Sequence, residues 1–300
     1  MRLVDAEQVY ALGPVAATQA LVAALQSGLD PAAGPARIPV DFASGQLLLM
    51  PAHDGFAAGV KVVTVAPGNP ARGLPRIQAA YLLFDSQTLT LQAFIDGTAL
   101  TTLRTPAVTM AAISTRLPDR PLHVVIAGTG PQGIGHAQAL AAHREVARLT
   151  YLVRGAPRAE PPAAQAVLGS QQAQVALAEA DVVVAATSAR APFFDSRLLR
   201  PDVVVAAVGS HEPQARELDD YLMARASVVV EDVATAMREA GDVVLAVQSG
   251  ALHLDQLVPL SAVVRGEVDL PADRPLVVKT VGMPWEDLVV AQACLAVGSG

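Results

Sequence analysis

Residues 122–136 read LHVVIAGTGPQGIGH. A short apolar run, His123 to Ala127, meets Gly128-Thr129-Gly130-Pro131-Gln132-Gly133, and an Ala-rich pattern with helical spacing follows. The result is G-x-G-x-x-G between a predicted strand and a predicted helix. In such a turn the first Gly permits a tight bend and the second lets the backbone approach a pyrophosphate. The third lets helix pack closely on strand, and the helix N-terminus faces the phosphate charge. A Gly-rich turn that binds nothing can carry the same letters. The strand before it and the helix after it favour a dinucleotide site.

Toward the C-terminus, apolar runs alternate with helical segments: Leu149–Val153, Val182–Ala186, Val203–Val208, Val228–Val230 and Leu276–Val278. Several are unbroken Val/Ala runs, as parallel strands covered on both faces require. The alternation predicts an α/β fold with a Rossmann doubly wound sheet over residues 118–283. The second strand ends at Arg154, with Arg158 nearby and no acid before Glu160. Folds that prefer NAD place an acid there for the ribose hydroxyls, whereas an Arg can meet a 2′-phosphate and stack on adenine. NADPH is therefore the favoured cofactor, with NADH possible; the simpler alternative is that Arg154 is a solvated loop charge. Pro284-Trp285-Glu286-Asp287 opens a last helix, with Pro in its first turn and acids near its positive end.

Toward the N-terminus, Asp5 can cap a short helix, Pro14 opens a second and Gly28 stops it. Gln46–Met50, Gly59–Val65, Ile77–Phe84 and Leu89–Ile95 are short apolar or alternating runs, and Asp85-Ser86-Gln87-Thr88 reads as a hairpin turn. They follow one another without crossover helices, which predicts antiparallel sheet. Gly97-Thr98 leads into a helical stretch to about Thr115, where Pro106 predicts a kink or a late start. Residues 1–117 thus read as an α+β domain, to which the last helix, 284–300, is expected to return. Three cations of this part sit in apolar or turn contexts: Arg37 before Ile38-Pro39, Lys61 inside Gly59-Val60-Lys61-Val62-Val63, and Arg104 inside Leu103-Arg104-Thr105-Pro106. A lone Lys in a strand ordinarily lies on the solvated face, and that is the simpler expectation for Lys61. A buried Lys would need an anion beside it. Three cations converging beside a nicotinamide would suit a small carboxylate substrate.

The 300 residues suffice for two domains at about 150 residues each. With 52% hydrophobic and 16% charged residues, a large core is expected and disorder is not. No apolar run reaches the roughly 18 residues of a membrane helix, and MRLVDAEQVY has an early acid and no signal-peptide core. The single Cys294 excludes an internal disulfide framework, suits a reducing cytosol and reads as a small buried hydrophobe, so a cytoplasmic location is expected. A net charge of −7 with no basic block argues against nucleic acid. His53, His123, His136 and His253 have no zinc spacing, and no metal is assigned.

Taken in order, further motifs accompany these: Leu49-Met50-Pro51-Ala52; Pro67-Gly68-Asn69-Pro70 with Gly73-Leu74-Pro75; Asp96-Gly97 with Leu100-Thr101; Ala180-Asp181 with Ala186-Thr187-Ser188; Val208-Gly209-Ser210 with Arg216-Glu217-Leu218-Asp219; and Lys279-Thr280-Val281-Gly282 before Glu286-Asp287-Leu288. Through them the chain resembles the ornithine cyclodeaminase/μ-crystallin superfamily over nearly its whole length. The resemblance implies a first domain that binds substrate and dimerises through its sheet, giving a homodimer, and a Rossmann second domain. It implies that Arg37, Lys61 and Arg104 hold the substrate carboxylate or assist proton movement, Lys61 and Arg104 being the catalytic pair, with Met50 and Val281 at the substrate. Gly128, Gly130, Pro131, Gln132 and Gly133 would form the phosphate turn and Arg154 the ribose end. Thr187, Ala207, Val208 and Thr280 would surround adenine or nicotinamide.

The departures narrow the activity. Ornithine cyclodeaminases carry an aspartate at the position of His211 and a lysine at that of Ala215, and this chain has neither. Arg76 also stands where a Thr near the cofactor is usual. Loss of the acid argues against deamination and cyclisation but leaves hydride transfer to an existing cyclic imine intact. Tyr151-Leu152-Val153-Arg154-Gly155 and Arg238-Glu239-Ala240-Gly241-Asp242 resemble the branch that reduces Δ1-pyrroline-2-carboxylate and Δ1-piperideine-2-carboxylate. The expected activity is NAD(P)H-dependent reduction of such a cyclic ketimine to L-proline or L-pipecolate. Ornithine cyclodeaminase and amino-acid dehydrogenase are the enzyme alternatives. A μ-crystallin-like protein that binds NADPH and a small ligand is the alternative of another class. His211 is either an acid near neutral pH or a surface loop His.

Overall fold

The structure, a computed structural model, describes residues 1–155 and 163–297. The chain forms two compact units, Met1–Val108 with Gly282–Gly300, and Thr109–Val281. In order, the first stretch comprises β1 (Arg2–Val4), α1 (Ala6–Ala11), α2 (Gly13–Gln26), β2 (Ile38–Phe42), β3 (Gly45–His53), β4 (Ala57–Val65), β5 (Ile77–Asp85), β6 (Leu91–Asp96) and α3 (Gly97–Ile113). There follow β7 (Leu122–Ala127), α4 (Pro131–His143), β8 (Val146–Val153), β9 (Ala164–Val167), α5 (Gln171–Glu179), β10 (Val182–Ala185), β11 (Val204–Ala207), α6 (Asp220–Arg225), β12 (Ser227–Val230), α7 (Val233–Glu239), α8 (Gly241–Gln248), β13 (Leu257–Pro259), α9 (Leu260–Val264), β14 (Leu276–Lys279) and α10 (Pro284–Val297).

In the first unit the sheet order is β1-β6-β5-β4-β3-β2. From β2 to β6 every pairing is antiparallel, as the hairpin signals predict. The sequence does not foresee the edge, where β1 pairs with β6 in parallel. A three-residue strand is too short to show a period, and its partner lies far along the chain. Pro39 within β2 suits an edge strand, where a missing N–H leaves no ladder bond unmade. Alternation sends Leu48, Met50, Lys61, Val63, Tyr81, Leu83, Ala93 and Ile95 inward. Helix α10 packs on β3, β4 and α2, so the C-terminal helix belongs to this unit.

Helix α3 begins at Gly97 and continues through Pro106, so the late start that Pro106 suggests does not occur. Asp96 supplies the reason: its carboxylate accepts the Ala99 N–H at 2.9 Å and caps the first turn. Gly97 is needed there, because a Cβ would come within 2.8 Å of the β5 backbone at Ala79 and Ala80.

The second unit is an all-parallel sheet in the order β13-β12-β14-β11-β10-β7-β8-β9. Strands β10, β11, β12 and β14 are buried at every residue, which explains their unbroken Val/Ala composition. The outermost strands β9 and β13 are not evident in the sequence: one is only Ala-Gln-Ala-Val, the other three residues ending in Pro259. The chain leaves β7 toward β8 and β9, then returns to β10 on the other side of β7. That reversal opens a crevice at the carboxyl ends of β7 and β10, the usual ligand position in such sheets.

Candidate active site

In the first unit, strand pairing lines up Met50, Lys61, Tyr81 and Ile95 across β3, β4, β5 and β6. This register turns Lys61 inward. It is only 1% exposed, which overturns the solvated-face expectation. The strand contributes one charged side chain to an apolar face, and the compensating anion comes from the far end of the chain. Lys61 Nζ lies 2.7 Å from one Asp287 oxygen and 2.9 Å from the other. Arg104, projecting from α3, meets Asp287 through Nε at 3.2 Å and Glu286 through Nη1 at 2.8 Å. Burial draws the Lys61 ammonium down to about 8; Asp287 opposes this most strongly, while Arg104 adds to it.

Arg37 joins the cluster through Gly282, whose carbonyl accepts its Nη2 at 2.7 Å. Gly282 has φ of +80°, and a Cβ there would lie 2.6 Å from Arg104 Nη2. Glycine is therefore required both by the backbone and by the close approach of the guanidinium. The segment from Gly282 to Asp287 thus gathers Arg37 from the chain before β2, Lys61 from β4 and Arg104 from α3. Glu286 and Asp287, which read in the sequence as helix-dipole acids and as part of a motif but not as site residues, are the counter-charges of this cluster. Their signal was the pair of adjacent acids, both of which turn out to be wholly buried. Met50, buried beside Lys61, lines the same face.

In the second unit the Gly-rich turn has the geometry its letters predict. Gly128 has φ of +105°, and a Cβ there would lie 2.3 Å from the Ala186 carbonyl oxygen. A Cβ on Gly133 would lie 2.1 Å from the Gly128 carbonyl oxygen, so helix and strand close only on glycine. Nothing lies within 4 Å of the Cβ position of Gly130. Gly130 is also the N-cap of α4, with Pro131 next and no side-chain cap. Open space before uncapped N–H groups is what a pyrophosphate needs, so these residues fit a dinucleotide.

A cavity of about 400 Å³ adjoins this turn, lined by Gly128, Thr129, Arg154, Thr187, Leu168 and Phe193 among others. Arg154 and Thr187 therefore reach the same cavity as the phosphate turn. Phe193 was not evident from the sequence; it stacks edge-on with Phe194 in a loop without periodicity. Arg158 and Glu160 lie outside the described residues. Ala207 ends β11, and its carbonyl accepts the Thr280 N–H at 3.2 Å. The Val208 N–H donates to Ala185 at 2.8 Å, and the Val281 N–H donates to buried Glu231 at 2.8 Å. Gln132 lies in the first turn of α4, where its carbonyl faces His136 Nδ1 at 2.7 Å. A carbonyl only accepts, so Nδ1 carries the proton and Nε2 accepts from the Thr109 hydroxyl at 2.9 Å. Burial draws His136 down to about 4, and it is neutral at physiological pH.

His211 is half-buried in the loop after β11. Ala215 is buried, and its carbonyl accepts the Ser210 hydroxyl at 2.5 Å. A Cβ on Gly241 would lie 2.0 Å from that same carbonyl oxygen. A lysine in place of Ala215 would have to enter this packing. Among the described residues no group of three or more His, Cys, Asp or Glu could hold a metal ion, and no helix is long and apolar enough to cross a membrane.

The fold and these two sites define a two-unit protein with a Rossmann dinucleotide-binding sheet. The chain belongs to the ornithine cyclodeaminase/mu-crystallin family, whose model matches residues 8–295. It is 34% identical over 293 residues to the Delta(1)-pyrroline-2-carboxylate/Delta(1)-piperideine-2-carboxylate reductase of Azospirillum brasilense, covering 94% of this chain and 85% of that protein. It is 33% identical to the ketimine reductase mu-crystallin of Rattus norvegicus over 85% of this chain and 81% of that one. The Delta(1)-pyrroline-2-carboxylate reductase of Thermococcus litoralis, solved with NADH and L-proline, shares the fold at a TM-score of 0.88. It covers 99% of this chain and 98% of its own, at 23% identity.

Proposed function

We propose that the protein catalyses NAD(P)H-dependent reduction of a cyclic ketimine carboxylate, Δ1-pyrroline-2-carboxylate or Δ1-piperideine-2-carboxylate, to L-proline or L-pipecolate. The observation that carries this reading is the pair Lys61 and Arg104, buried on Glu286 and Asp287, which half-buried Arg37 joins through the Gly282 carbonyl. Lys61 and Arg104 meet Glu286 and Asp287, and Arg37 meets the Gly282 carbonyl, so three cations gather where a small carboxylate would bind. Names of relatives at 33% and 34% identity point to the same substrate class.

Arg37 and Arg104 hold the carboxylate, and the planar guanidinium of Arg104 orients the ring. Met50 gives the ring an apolar neighbour, and the family resemblance adds Val281 to the substrate positions. The Gly128–Gly133 turn, Arg154, Thr187, Ala207, Val208 and Thr280 would hold the dinucleotide, which when bound would supply the hydride that C2 gains. Lys61 donates the proton that the ring nitrogen gains. One imine, one hydride and one proton give one amine, so the charges and atoms balance. An ammonium drawn down to about 8 is a better acid than an ordinary lysine and is still largely protonated at neutral pH. Arg154 favours NADPH over NADH through the 2′-phosphate. The absence of the aspartate and lysine at His211 and Ala215 disfavours release of ammonia from ornithine.

The protein is further proposed to act as a homodimer through the outer face of the first sheet. Strand pairing places Leu3, Phe94, Leu82 and Val60 in one row across four strands of that face. Leu3 is 69% exposed and Phe94 43% in the single chain. A row of this kind on a solvated sheet marks an association surface.

Purified protein given Δ1-pyrroline-2-carboxylate or Δ1-piperideine-2-carboxylate is expected to consume NADPH and form the L-amino acid. Release of ammonia and proline from ornithine with NAD⁺ would replace this reading with cyclodeamination. Tight NADPH binding with no turnover of either imine would replace it with a ligand-binding role.

A further inference from the structure

Glu217 is wholly buried and takes no part in the roles above. It lies between β11 and α6. One of its oxygens accepts the Thr187 N–H at 2.8 Å and the Thr187 hydroxyl at 2.7 Å; the other accepts the Gly209 N–H at 2.7 Å. The Thr187 hydroxyl itself accepts the Ala189 N–H at 3.1 Å, which leaves its proton for Glu217. Each of these groups donates to the carboxylate, so the geometry accommodates the ionised form. Burial pushes the carboxyl above its usual range, while Lys279 and the Thr187 hydrogen bonds hold it down.

Behind Glu217 the arrangement continues. Asp242 accepts the backbone N–H groups of Glu217 and Leu218 at 2.7 and 2.8 Å. It lies 3.1 Å from Lys279 Nζ, which donates to the Ser210 carbonyl at 2.5 Å. Three buried charges thus connect the segments that follow β10 and β11 with the end of β14 and the first turn of α8. Gly209 makes room for them, since a Cβ there would lie 2.6 Å from Glu217 Oε1. On the opposite side Thr187 lines the cavity beside Gly128, whose absent Cβ would come within 3.8 Å of Thr187 Cγ2.

The geometry points to Glu217 as the residue that positions the dinucleotide: it turns the Thr187 hydroxyl inward, pins Gly209, and so fixes the wall on which the Gly128 turn closes. It acts through Thr187 and Gly209 and is a positioning residue. Lys279 and Asp242 hold it from behind. The inference rests on the reading that this unit binds NAD(P)H and is independent of which imine is reduced.

Glu217→Gln keeps the shape, but its amide nitrogen donates, so one of the two loops loses its acceptor. The Kd and KM for NADPH are expected to rise about tenfold, as for a lost charge-assisted hydrogen bond. The KM for the imine at saturating NADPH should stay within about twofold, as expected of a remote site without shared partners. Thr187→Val should raise the Kd less, and the double variant should bind no worse than Glu217→Gln, because both remove one connection. An unchanged Kd in Glu217→Gln, or effects that multiply in the double variant, overturns the proposal even if the melting temperature falls. If Glu217→Gln does not fold, Thr187→Val decides alone, and an unchanged Kd overturns it. The Kd is read by fluorescence titration without imine. A protein inactive on both imines whose Kd still rises in the variant keeps the positioning role and loses the reductase reading.

Discussion

Lys61 Nζ lies 2.7 Å from Asp287 Oδ2, with the lysine side chain 2% exposed and the aspartate 0%. A strand and the first turn of the last helix thus meet through one buried ion pair. Such a pair adds little net stability over an apolar pair of equal volume, but removing one partner leaves a charge stranded. Arg104 shares Asp287, so the carboxylate also holds the second cation in place. Lys61→Met is expected to lower kcat/KM about 100-fold or more, the range of general acid catalysis. It should also lower unfolding free energy, by less than the roughly 3–5 kcal/mol of a fully stranded charge, because Arg104 still meets Asp287. Steady-state assays and urea denaturation check the two effects. An unchanged kcat/KM would remove Lys61 from the mechanism.

The pH dependence follows from the same pair. Lys61 must be protonated to give its proton, so kcat/KM should fall as pH rises through about 8. Asp287 raises the ammonium's proton affinity, so Asp287→Asn should move the basic limb to lower pH. A basic limb that does not move, or moves upward, would show that another group governs it.

Gly282 is the second point where geometry makes a demand. Gly282→Ala places a Cβ 2.6 Å from Arg104 Nη2 and holds a side chain at φ of +80°. A fold destabilisation of about 1–3 kcal/mol is expected from the backbone strain. The KM for imine should rise while the Kd for NADPH holds, which parallel titrations of the two ligands would test. Equal loss of both would point to general damage.

Arg154 lines the cavity that adjoins the phosphate turn. Arg154→Ala should raise the KM for NADPH about tenfold or more, the scale of a charged hydrogen-bonded contact, and that for NADH far less. Kinetics with both cofactors test this, and equal losses would refute a 2′-phosphate role.

Phe94 stands 43% exposed on the outer sheet face. Phe94→Glu should shift a dimer toward monomer at micromolar concentration in sedimentation experiments, because a buried unpaired carboxylate opposes association. A wild-type chain that sediments as a monomer would discard the dimer.

Much of the second unit was legible because its signals are local. The turn from Gly128 to Gly133 has glycines at set spacing: Gly128 and Gly133 have a measurable steric reason, and Gly130 keeps the space before the helix open. The Val/Ala strands announce burial on both faces by composition alone. Strands β9 and β13 were not legible, since a short edge strand buries too little to constrain its sequence. In the first unit the hairpins were visible, but β1 was not, because its parallel partner is β6.

The amino-acid sequence by itself determined the Rossmann sheet, the phosphate turn and the identity of the cations Arg37, Lys61 and Arg104. Local backbone and period rules suffice for these. Only the tertiary structure decided that Lys61 is buried, that Asp287 is its counter-charge and shares Arg104 with Glu286, and that Glu217 ties Thr187 to Gly209. Those pairings join residues far apart in the chain. A charge's environment is set by what folds against it, and no spacing rule carries that information.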